Sequence, residues 1–63
     1  MRLTDFWERM NDVLGESYAH SWAHDVVLPS LGLTVDQAVD RGVDTVIIWR
    51  AVCTVIEVPS TLR

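Results

Sequence analysis

The chain has 63 residues, 49% of them hydrophobic, with a single cysteine and a formal charge of −4 from nine acids against five arginines and no lysine. One cysteine excludes an internal disulfide, a CxxC redox pair and a zinc ribbon. The acidic balance disfavours phosphate backbones, because non-specific nucleic-acid affinity comes from clustered Lys and Arg displacing counterions. A domain of this size buries only about 60% of the surface its unfolded chain exposes, so its core must be dense. Trp7, Trp22 and Trp49 suit that need, each able to bury roughly 150–250 Å².

The opening MRLTDFWERM carries acids from position 5 and lacks the basic flank and unbroken apolar run of a signal peptide. No stretch of about 18 apolar residues occurs to span a bilayer. The cytoplasm is the expected compartment, with no membrane association. In chain order, the first predicted helix has Thr4 as its cap and Asp5 at its positive end. Leu3, Phe6, Trp7, Met10, Val13 and Leu14 recur at steps of three and four, and Gly15 suits the position just past the end. The second helix is expected to start near Ser17 and to run until Pro29 forces Leu28 out of the helical region. Tyr18, Trp22 and Val26 then form its inward stripe, and His20 and His24 point away from the core.

Thr34 and Gln37 make a T-x-x-Q capping box for a third helix of about two turns, closed by Gly42. The fourth segment opens at Asp44 and reads TVIIWRAVCTVIEVP. Residues 45–48 are β-branched and also suit a strand, but the apolar run is long and lacks period-two alternation. Read as a helix, its polar residues Arg50, Thr54 and Glu57 fall on one narrow stripe, and the helix sits centrally with the others wrapped around it. The expectation is an all-α single domain over residues 1–63, of three or four short helices around a central apolar C-terminal helix. Its predicted core is Phe6, Trp7, Met10, Tyr18, Trp22, Val26, Ile48, Trp49 and Val52.

The strings MRLTDFWERM, YAHSWAHDVVLPSLG, QAVDRGV and WRAVCTVIEVP resemble, in order and spacing, the short actinobacterial family catalogued as domain of unknown function 3046. The matching residues are Met1, Arg2, Leu3, Thr4, Phe6, Trp7, Tyr18, Ala19, Asp25, Val27, Leu28, Ala38, Gly42, Trp49, Arg50, Ala51, Val58 and Pro59. The resemblance implies a small cytoplasmic helical protein with no assigned activity, whose genes often stand near those of the DNA-repair recombinase and its regulator. His20 and His24 lie outside the family pattern, so it lends no support to a metal site.

Four groups of residues invite a chemical reading. Glu16, His20 and His24, at i, i+4 and i+8, offer a carboxylate and two imidazoles of the kind that hold Zn²⁺ or Ni²⁺. Glu16 precedes the helix cap and no fourth ligand is evident, so His20 and His24 read as a solvated face and no metal or cofactor is expected. Cys53 stands among Val52, Val55 and Ile56, which favours an inert thiol over a nucleophile. Residues 34–53 scan as a helix-turn-helix, with Ala38, Gly42, Val43 and Ile48 at its small, turn and packing positions. The surface offered to a groove, Asp44, Thr45, Val46, Trp49 and Arg50, carries little positive charge. Asp25 and Arg50 are charged residues inside apolar helices and read best as an ion pair tying the second helix to the fourth. The other reading makes Arg50 a hook for an acidic partner.

An enzyme is the least favoured class, since there is no phosphate-binding glycine loop, no nucleophile with a recognisable base, and little room for a pocket of about 300 Å³. A protein-binding adaptor or regulator without catalysis is the first expectation, and a helix-turn-helix-like protein associated with nucleic acid and DNA repair the second. The expected surface is an apolar surplus on the last helix, at Ile47, Val55, Ile56, Val58 or Leu62, beside Arg50. A homodimer seam fits that surplus equally well.

Overall fold

The computed structural model describes residues 1–57. Its elements in chain order are α1 (Leu3–Leu14), α2 (Glu16–Asp25), β1 (Val27–Leu28), β2 (Leu33–Thr34), α3 (Val35–Asp40) and α4 (Thr45–Val55). Four helices carry the fold, as the periodicity predicts, and a two-residue antiparallel ribbon is the addition. No helix among the described residues is long and apolar enough to cross a membrane.

α1 begins one residue earlier than the Thr4 cap predicts, with Arg2 in the cap position and no side-chain cap hydrogen bond. Its ends are tied by the chain around it. The Thr45 hydroxyl donates to the Met1 carbonyl at 2.6 Å, which fixes the start of α1 beside the start of α4. At the other end Gly15 has φ +88° and serves both helices, its N–H donating to the Asn11 carbonyl and its carbonyl accepting from Ala19 N–H. A side chain at that φ would be strained. α2 therefore starts at Glu16 directly, without the Ser17 cap.

The inward face of α2 is Ala19, Trp22 and Ala23, all buried, while Tyr18 is 58% exposed. This corrects the predicted stripe. Tyr18 sits about 100° around the helix from Ala19, and the two alanines allow α2 to approach α1 closely, which leaves the larger ring outside. Val26, predicted on the same stripe, ends the helix half-buried against the core.

The chain then turns through a hairpin pairing Val27 with Thr34 and Leu28 with Leu33. The Leu28 carbonyl accepts from both Leu31 and Gly32 N–H groups, at 3.1 and 2.8 Å, and Gly32 adopts φ +66°. Pro29 stands directly after Leu28, where its fixed φ suits the second position of a tight turn. Leu28 is fully buried and Val27 is exposed, so two residues suffice to aim one side chain into the core.

α3 has the predicted capping box: Thr34 Oγ1 accepts from Gln37 N–H, and Gln37 Oε1 accepts from Thr34 N–H. Its far end closes with Val43 N–H on the Ala38 carbonyl and Gly42 N–H on Val39, Gly42 taking φ +77°. That paired arrangement around a left-handed residue is the Schellman closure, here with Ala38 and Val43 both in the core cluster. Thr34→Ala is expected to cost about 1 kcal/mol, the usual loss of an N-cap. Urea denaturation checks it, and a change below about 0.3 kcal/mol would mean the cap does not contribute.

α4 resolves the strand-or-helix ambiguity in favour of the helix. Asp44 caps it by accepting from Val46 N–H, and Ile48, Trp49, Ala51 and Val52 are buried. Of the β-branched residues 45–48 only Ile48 is buried, but the buried face of Ile48, Trp49, Ala51 and Val52, with α4 packed against α1, α3 and β1, outweighs propensity. The core joins Phe6 and Met10 of α1 to these α4 residues, with Trp7 half-buried at its edge.

Candidate functional site

α1 and α4 are joined at a seam by the Met1 to Thr45 tie and by the contact of Phe6 with Trp49. An open groove of about 870 Å³ follows this seam, lined by residues of both helices. The three-and-four spacing of Asp5, Glu8 and Asp12 puts them on one edge of α1 as its wall. Val46, Arg50 and Thr54 form the α4 wall, and Trp49 and Cys53 lie deeper. The sequence expectation that 63 residues leave little room for a pocket is thereby corrected: an open groove lies beside the core and shares Trp49 with it.

Trp49 is the hinge between core and groove. Phe6 meets it edge-to-face, with ring centroids 6.1 Å apart, and Trp7 meets Phe6 the same way at 5.4 Å. On the groove side the Arg9 guanidinium lies 5.8 Å from the Trp49 ring centre, a cation–π placement. Trp49 is 4% exposed, and its indole N–H has no hydrogen-bond acceptor. A buried indole N–H usually finds one, so this donor is out of the ordinary. Asn11 Oδ1 is also buried without a partner.

The remaining predicted site residues scatter. His20 stacks on Trp7, centroids 4.7 Å apart with rings 24° from parallel, whereas His24 Nδ1 lies 3.5 Å from Asp36 Oδ2 of α3. The two imidazoles serve different neighbours, and among the described residues no three His, Cys, Asp or Glu side chains gather as a metal site. Cys53 is half-buried, packed against the core and lining the groove.

The Asp25 to Arg50 ion pair is not formed. Both residues are exposed, and neither takes part in an ion pair among the described residues. Asp25 ends α2 next to the hairpin, while Arg50 lines the groove between α1 and α4. Sequence shows that two opposite charges share apolar surroundings, but not that their helices turn them toward each other. A double-mutant cycle of Asp25→Ala and Arg50→Ala is expected to show coupling below about 0.3 kcal/mol. Coupling above about 1 kcal/mol would restore the pair.

Of the residues expected to meet a partner, Ile47 is 48% exposed and Arg50 is exposed, one turn apart on the same side of α4. Val55 is 40% exposed. Ile56 departs from the expectation: it terminates α4 and packs half-buried against the core. Val58 and Leu62 lie outside the described residues. The α1 carboxylates were missed as part of a site. Their regular spacing is visible in the sequence, but only the fold places them across from Arg50.

A family model described as a protein of unknown function (DUF3046) matches residues 1–61. The chain belongs to this family. No curated protein and no solved structure matches it. The resemblance read from MRLTDFWERM through WRAVCTVIEVP is thus upheld across nearly the whole sequence, and several of its residues have visible structural duties. Phe6, Ala19, Leu28, Ala38, Trp49 and Ala51 are core residues, and Gly42 supplies the left-handed closure of α3. Met1 and Arg50 are family-pattern residues that stand exposed at the groove.

Proposed function

We propose that this chain is a small cytoplasmic adaptor or regulator that works by binding another protein through the face of α1 and α4, without catalysis. The observation that carries the reading is the groove. It combines apolar lining from Met1, Val46 and Trp49 with the α1 carboxylates and Arg50, and Ile47 is exposed one turn from Arg50 on α4. Apolar surface rimmed by polar side chains is the usual anatomy of a protein interface.

Light scattering on the purified chain first establishes whether a second copy occupies the face. Affinity capture from native lysate then compares the unaltered chain with Ile47→Asp and Arg50→Glu, and the DNA-repair recombinase and its regulator are sought among the eluted proteins. A partner retained by the unaltered chain and lost from both variants, with stability changed by less than about 0.5 kcal/mol, is the expected result. A monomer that captures nothing the variants fail to capture would end the adaptor reading.

A second reading is favoured by the α3 to α4 connection. Ala38 and Ile48 are buried, Val43 packs against the core and Gly42 takes the left-handed turn, as a helix-turn-helix requires. Trp49, however, is in the core and is not available to a DNA groove, and Asp44 caps the start of the helix that would enter it. Anisotropy with labelled single- and double-stranded DNA separates the two readings. Micromolar binding that weakens steeply with salt would favour nucleic acid.

A further inference from the structure

We propose that Gly15 is a hinge at which two copies of this chain exchange α1: α1 and α2 join into one helix over residues 3–25, and α1 of each copy packs on α2 and α4 of the other. The inference goes beyond the protein-binding reading and does not rest on it. Gly15 is the whole connection between α1 and α2. It holds φ +88° and ψ 145°, a combination essentially open to glycine alone. Nothing beyond its chain neighbours lies within 4 Å of where a Cβ would stand. What the closed fold requires at position 15 is therefore a torsion, not space.

The hydrogen bonding at the junction is already close to that of a helix. Gly15 N–H donates to the Asn11 carbonyl at 2.8 Å and Ala19 N–H to the Gly15 carbonyl at 2.9 Å, both with α-helical spacing. Among the described residues no backbone hydrogen bond joins the N–H groups of Glu16, Ser17 and Tyr18 to the carbonyls of Asp12, Val13 and Leu14. A helical Gly15 would form those three. At about 100° per residue, the joined helix turns Phe6 and Met10 roughly opposite to Ala19, Trp22 and Ala23, so one copy cannot cover both faces. Phe6 and Met10 are fully buried in the closed fold, and the surface that fits them is the one they vacate. A second copy presents that surface. Each half of the dimer then repeats the Phe6 to Trp49 contact and the Met1 to Thr45 tie between chains, and its groove takes one wall from each copy. Short hinges that hold an element in a demanding conformation favour exchange of this kind.

The test compares the unaltered chain with Gly15→Ala and with a variant carrying two further glycines after Gly15, each refolded from urea and followed by light scattering up to about 1 mM. The unaltered chain should show a measurable dimer near the top of that range. Alanine is strained at the closed φ and better than glycine in a helix, so Gly15→Ala should lower the dissociation constant of the dimer by about 100-fold or more. The lengthened connector lets α1 close without the demanding torsion and should remain monomeric. In dimers refolded from mixed labelled and unlabelled Gly15→Ala chains, isotope-filtered NOEs should place Phe6 of one copy against Trp49 of the other. An unaltered chain without measurable dimer at about 1 mM, or a Gly15→Ala chain that stays monomeric there, folded or unfolded, would overturn the proposal. Equal dimerisation of the lengthened variant, or a dimer whose Phe6 to Trp49 contact lies within each copy, would do the same.

Discussion

Phe6→Ala is expected to lower the stability of the chain by about 3–5 kcal/mol, the range for emptying a buried aromatic site. The ring is fully buried and stands edge-on between Trp7 and Trp49, so it joins α1 to α4 at the point where core and groove share a side chain. Small domains sit near the lower end of the usual 5–15 kcal/mol of stability, and the variant should be largely unfolded or close to it. Urea denaturation followed by tryptophan fluorescence measures the loss. Tyr18→Ala, at the exposed position, is the internal control and should change stability by less than about 0.5 kcal/mol. A Phe6→Ala loss below about 1 kcal/mol would mean that α1 and α4 are not packed through this ring.

The second large effect is expected at the hairpin. Leu28→Ala should cost about 2–5 kcal/mol, because this fully buried side chain lies among the largest in the core although it comes from a two-residue strand. Val27→Ala, one residue earlier and 55% exposed, should stay within about 0.5 kcal/mol. The contrast is a direct consequence of alternation along a strand. Similar losses at the two positions would show that residues 27 and 28 do not lie on opposite faces of a ribbon.

These two positions also mark what the sequence could and could not disclose. α1, α3 and α4 were legible because their signals are local: regular apolar spacing from Phe6 to Met10, a Thr34 and Gln37 box, an Asp44 cap, and glycines where the chain needs positive φ. The hairpin was not, since two-residue strands are too short to show alternation, and Pro29 and Gly32 read only as breaks. α2 is placed as expected, and Trp22 is buried on the expected stripe, but Tyr18 is not. Close packing selects Ala19 and Ala23 beside Trp22 instead, and their small side chains carry little weight in any hydrophobic pattern.

The candidate site was legible in pieces. Arg50 and Ile47 were singled out on α4 and are exposed there, but the acidic wall opposite them depends on α1 lying beside α4, a tertiary fact fixed by the Met1 to Thr45 tie and by the Phe6 to Trp49 contact. The pairing of Asp25 with Arg50 failed for the same reason: helix faces can be read from sequence, and the relative placement of helices cannot. Ile56 was counted as helix surface because the apolar run continues through it, yet the helix stops at Val55 and the chain folds Ile56 back onto the core.

The claim that α1 and α4 together form the binding face is tested most directly by hydrogen–deuterium exchange on the full chain with and without its captured partner. The account predicts added protection confined to residues 5–12 and 46–54, with the outer face of α2 around Tyr18 unchanged. Protection centred on α2 or on the hairpin, with 5–12 and 46–54 exchanging as in the free chain, would contradict it.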